Sequence, residues 1–156
     1  VVDEVSIRQQ VLEHRLVHDR MLKEATKALA KKCGTLALTI DDQGDLYYAG
    51  AANILDMPEF FDIDVARFVL SLFDEFPILK QIISKAQGAD PLHIIFGEET
   101  EYEYLSTTSF AFLKYGTEGA IHSGVIGVIG PARLNFPVVL PYLRYVGSIL
   151  TEQSRI

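Results

Sequence analysis

Between Ser123 and Pro137 the chain reads S-G-V-I-G-V-I-G-P-A-R-L-N-F-P, and its apolar run Val125, Ile126, Val128, Ile129 does not alternate with polar residues. A run of that kind predicts a strand covered on both faces, and we place it at the centre of the fold. Gly124 and Gly127 are an odd number of residues apart and so point to opposite faces, where a strand glycine marks close packing. Gly130-Pro131 ends the strand, and Asn135 is positioned to cap the next helix. Val138, Val139, Tyr142, Leu143, Val146, Ile149 and Leu150 then recur at helical spacing, which predicts one wholly apolar helix face.

Upstream, residues 3–33 carry a helical pattern, predicted in two parts. Met21, Leu22, Ala25, Ala28 and Leu29 make a regular stripe that stops at Gly34, whereas Val5, Leu12 and Leu16 form a thinner one among charges. Thr35 to Ile40 alternates, Asp41 to Asp45 is turn chemistry, and Leu46 to Ala51 returns, so a hairpin is expected. Pro58 and Glu59 open a helical region, Val65, Phe68, Val69, Leu72 and Phe73 form an amphipathic helix, and a shorter helix follows Pro77. Further strands are predicted over Leu92–Phe96, Ser106–Tyr115 and Ala120–Ile129, the last two joined by a turn at Gly116–Gly119. Hairpins at both ends imply an α+β sandwich: an antiparallel five-stranded sheet with the N- and C-terminal helices on one face and connecting helices elsewhere.

At 156 residues and 49% hydrophobic content this is one domain with a real core. No apolar stretch reaches the ~18 residues of a membrane helix, and the single cysteine, Cys33, excludes an internal disulfide and fits a cytoplasmic location. The net charge of −7 argues against a nucleic-acid surface, because displacing counterions from phosphate takes clustered Lys and Arg.

Candidate chemistry is sparse. Gly124, Gly127 and Gly130 are spaced GxxGxxG within a strand, unlike a dinucleotide loop. His14 and His18 have the i, i+4 spacing of a zinc pair but no third ligand, so no metal or cofactor is expected. His93 and His122 read as structural, and Cys33 as an inert thiol. Glu98 and Glu99 are the best carboxylate pair; a general acid–base role lacks a second group, and we expect instead that one of them pairs with Arg133. The chain is therefore read as not an enzyme.

Several segments resemble one family. Gly50-Ala51-Ala52-Asn53-Ile54-Leu55 with Pro58-Glu59-Phe60, then Gly97-Glu98-Glu99, then Gly127-Val128-Ile129-Gly130-Pro131-Ala132-Arg133-Leu134, are similar in order and spacing to motifs of the HrcA family of bacterial heat-inducible transcription repressors. The resemblance covers residues 18–152. It implies a GAF-like regulatory domain over residues 18–156 behind a connector helix over 1–17, in which Gly50, Asn53, Gly97, Glu98, Glu99, Gly130, Pro131 and Arg133 are the motif positions. It further implies a homodimer, operator DNA reached through an upstream winged helix, and the GroEL chaperonin as a partner. Family members usually carry a long inserted dimerisation domain; here only a tight turn separates Ile40 from Leu46. Val5, Leu12 and Leu16 are then the candidate dimer contacts. A free-standing GAF-type small-molecule sensor and a small enzyme using Glu98 or Glu99 are the competing readings.

Overall fold

The central strand is where the apolar run places it. In the computed structural model, which describes residues 2–86, 88–116 and 120–155 (side chains from residue 4 onward, residue 14 excepted), β5 spans Gly124–Pro131. It lies in the middle of a five-stranded antiparallel sheet. On one side it pairs with β1 (Leu36–Asp41), which pairs with β2 (Leu46–Ala49). On the other it pairs with β4 (Thr108–Tyr115), which pairs with β3 (Leu92–Phe96).

Both faces of β5 are covered, as the absence of alternation requires. Ile126 and Val128 face a layer made by α1 (Val2–Cys33) and α5 (Phe136–Gln153), which contribute Leu22, Leu29, Leu143 and Leu150. Val125 and Ile129 face the connecting helices α2 (Ala51–Ile54), α3 (Ile63–Ser71) and α4 (Phe76–Ser84), with Ile54, Val65, Val69, Leu79 and Ile82 at the centre. The first and last helices thus share one face and the connecting helices take the other.

Several local expectations change. Residues 2–33 form one continuous helix instead of two, since no glycine or proline interrupts them. β2 ends at Ala49 because Gly50 turns the chain into α2, and β5 starts at Gly124, not Ala120. Of the expected turn at Gly116–Gly119, residues 117–119 lie outside the described residues. Asn135 does occupy the N-cap of α5, but its side chain makes no capping hydrogen bond. The apolar face of α5 is also wider than the face it buries. Val139, Leu143 and Leu150 are buried, while Val138, Tyr142 and Ile149 remain exposed.

Candidate functional site

Gly50 and Asn53 act together where α1 gives way to β1. Gly50 has φ +80°, and a Cβ there would sit 2.3 Å from the Thr35 carbonyl oxygen and 2.9 Å from the Ala30 Cβ. Only glycine combines that left-handed backbone with so close an approach. Three residues on, the Asn53 amide nitrogen donates to the Thr35 carbonyl at 3.0 Å and the Ala30 carbonyl at 3.5 Å. The G-x-x-N spacing is therefore a clasp holding α2 against the end of α1.

The other two motif turns meet at one sheet edge. Phe96 pairs with Ser109 and Ser109 with Gly130, so β3 and β5 end side by side across β4, and the Ser109 hydroxyl donates to the Pro131 carbonyl at 2.7 Å. Beyond β3, Gly97–Glu99 forms a 3-10 turn in which Gly97 is buried and Glu98 and Glu99 are exposed. A Cβ on Gly97 would fall 1.5 Å from the Leu105 carbonyl oxygen, so this glycine is required by space alone.

Arg133 does not bind Glu98 or Glu99. Its Nε donates to Oε1 of Glu59 at 2.7 Å. The two turns do share a sheet edge, but the partner comes from the Pro58–Phe60 turn, 74 residues away in sequence. The reason is burial: the Glu59 side chain is only 17% exposed, with Oε2 buried and unpartnered among the described residues. A half-buried carboxylate gains more from a guanidinium than two solvated ones do. The ion pair joins the P-E-F segment to the G-P-A-R segment.

A second assembly was not legible in the sequence. The His18 imidazole, on α1, stacks on that of His122, with ring centroids 3.8 Å apart and planes 18° apart. His18 is thus placed against a residue 104 positions away, not in a recognisable metal set; the side chain of His14 lies outside the described residues, and among the described residues no group of three or more His, Cys, Asp or Glu side chains is placed to hold a metal ion. Burial, and then the neighbouring His122, pull the pKa of His18 down, against weaker upward pulls from Asp19, Asp41 and Asp42. The backbone amides of Ile121 and His122 both donate to the Ser154 carbonyl at the end of α5, which fastens the stack to both outer helices. Nearby, burial raises the pKa of Asp41, whose Oδ1 accepts from the Gln43 and Asp45 amides at 3.0 and 2.8 Å. Burial also pushes the hydroxyls of Tyr47 and Tyr115 up.

The stack forms one wall of a cleft of about 600 Å³ between α1 and the core. Ile7 and Val11 line it from α1, Asp41, Asp42 and Gln43 from the β1–β2 turn, and Ile121 from the segment before β5. Among the described residues its lining holds no cysteine or serine, and its titratable groups are His18, His122, Asp19, Asp41, Asp42 and Arg15. Cys33 lies elsewhere, half-buried, with burial pushing its thiol up to about 11.

Comparison with known proteins agrees with the motif geometry. The profile of the family described as "HrcA protein C terminal domain" matches residues 3–140. The heat-inducible transcription repressor HrcA of Nitratidesulfovibrio vulgaris (strain DP4) is 33% identical over 153 residues, covering 92% of this chain and 42% of that protein. The HrcA of Moorella thermoacetica is 30% identical over 149 residues, with 94% and 42% covered. A crystal structure of a hypothetical protein at 2.2 Å resolution shares the fold, with a TM-score of 0.71 at 11% identity, over 86% of this chain and 69% of that one. The chain spans about two fifths of the length of these repressors. With three motifs placed as structural joints of a five-stranded antiparallel sheet and a profile match across most of its length, the chain belongs to the HrcA C-terminal domain family.

Proposed function

We propose that this chain is the regulatory and dimerising portion of a cytoplasmic heat-inducible transcription repressor that holds down chaperone genes. In this reading, operator DNA is reached through a winged-helix domain upstream of these residues, residues 1–17 are the connector, and residues 18–156 are the regulatory domain. The observation that carries it is the family match over residues 3–140 to proteins described as heat-inducible repressors. The net charge of −7 supports delegating DNA contact to another domain, because an acidic surface is repelled by phosphate. The motif residues support a non-enzymatic role, since Gly50, Asn53, Gly97 and Arg133 serve backbone packing and an ion pair. The sensor alternative finds less support: the sheet face under α2–α4 is filled by packed side chains. The homodimer and the GroEL chaperonin are the partners this function calls for, the dimer because an inverted-repeat operator is read by a two-fold symmetric protein.

The test pairs two experiments. In gel shifts at physiological salt, residues 1–156 alone should leave an inverted-repeat operator fragment unshifted, and deleting the full gene should raise chaperone transcripts before any heat stress. Tight, sequence-selective binding by residues 1–156, or unchanged chaperone transcripts in the deletion strain, would overturn the proposal.

A further inference from the structure

The N-terminal part of α1 carries apolar side chains that are left exposed. From Glu4 to Val17 every described side chain is exposed, His18 is the first to stack on the core, and Leu22 is the first residue of α1 to be buried. That makes an arm of roughly 21 Å at 1.5 Å per residue, about the length at which a helix without tertiary packing is only marginally stable. It is apolar on two sides. Ile7 and Val11 line the cleft against the core, while Leu12 and Leu16, each five residues further on, lie about 140° around the helix, and Val5 joins them. A helix that docked by one side would need only one such face.

We propose that the arms of two copies exchange: each arm lies in the cleft of the other copy. This rests on the homodimer reading above. The resulting order is core, partner arm, own arm, partner core. Ile7 and Val11 of the two arms then meet each other, and Val5, Leu12 and Leu16 meet the cleft wall of the other core at Ile121 and the β1–β2 turn. Both apolar faces are thereby covered by a single two-fold operation, the isologous arrangement in which each copy gives and receives the same element. Charge agrees. The core wall of the cleft carries Asp41 and Asp42, and the incoming arm carries Arg8, which has no ion-pair partner among the described residues.

The experiment separates arm exchange from dimerisation in general. Leu12 and Ile121 are 52% and 61% exposed, so Leu12→Glu and Ile121→Glu should both fold, with unchanged circular dichroism. Light scattering of the 156-residue chain should show a dimer that either substitution converts to monomer, although one lies on the arm and the other on the core. In a second arm, Leu12→Cys combined with Ile121→Cys should give a covalent dimer on a non-reducing gel, while each single variant stays at least about fivefold less cross-linked. Cys33, with its raised pKa, contributes little background. If Ile121→Glu stays dimeric while Leu12→Glu is monomeric, or if Leu12→Cys alone cross-links as fast as the pair, the arms meet without entering the clefts and arm exchange is wrong. If both Glu variants stay dimeric, the interface lies elsewhere, for example on Val138, Tyr142 and Tyr145 of α5, and arm exchange is again wrong. A wild-type chain that is monomeric at high concentration removes the dimer reading together with this one.

Discussion

Replacing Gly97 with alanine is the sharpest test of what the G-E-E turn is for. The added Cβ would sit 1.5 Å from the Leu105 carbonyl oxygen, where 3.4–4 Å is ordinary contact, so backbone must retreat by about 2 Å. That carbonyl is not free to move, because it accepts the Thr108 hydroxyl at 2.6 Å in a buried site, and the same Cβ would lie 2.8 Å from that hydroxyl oxygen. Overpacking of this kind costs about 1–3 kcal/mol or more, and breaking the buried hydrogen bond adds about 1–2 kcal/mol. The sum, about 2–5 kcal/mol, is a large share of a typical domain's stability and corresponds to a fall in Tm of about 4–20 °C for a chain of this size. The control is Glu98→Gln with Glu99→Gln: both side chains are exposed, so Tm should move by less than about 2 °C. Calorimetry on the three proteins decides the matter. A Gly97→Ala variant melting within 2 °C of wild type, or a larger loss from the glutamates than from the glycine, would refute the spatial account of the motif.

Arg133→Met should cost about 1–2 kcal/mol, limited because the arginine is 70% exposed, and a double-mutant cycle should show coupling to Glu59→Gln and none to Glu98→Gln; coupling to Glu98 would restore the pairing expected from sequence. Stability should also fall with acid through the histidine stack. Because the folded-state pKa of His18 is lowered, the unfolded chain takes up the proton first, so this contribution is complete above pH 6.5 and is lost progressively as pH falls from that value toward the lower folded-state pKa. The groups facing His18 are His122, Asp19, Asp41 and Asp42, and the urea midpoint should drop between pH 7.5 and 5.5 in wild type but less in His18→Gln; equal drops would end the idea.

Much of the architecture follows from period alone. The unbroken run Val125–Ile129 can only be a strand buried on both sides, and the alternation of Leu36, Leu38 and Ile40 marks a strand at its flank. The helical stripe of Leu22 and Leu29 identifies the buried side of α1, and the motif order identifies the family. These are local properties, decided within a few residues, which is why they survive without coordinates.

Partnership across the chain was decided by tertiary packing. Arg133 had three carboxylates to choose from in the neighbouring motifs, and Glu59 won because folding of the Pro58–Phe60 turn leaves it half-buried, a quantity no spacing rule contains. His18 looked like half of a metal pair with His14, until the sheet brought residue 122 beneath α1 and made it half of an imidazole stack. The exposed stripe on α5 shows the same limit: periodicity marks Val138, Tyr142 and Ile149 as apolar, but which apolar positions are covered depends on where the sheet ends and α1 lies. Pattern specifies what each segment is able to bury. Only the assembled sheet, by setting which surfaces touch, settles what is buried, which charges lose their water, and therefore which residues need each other.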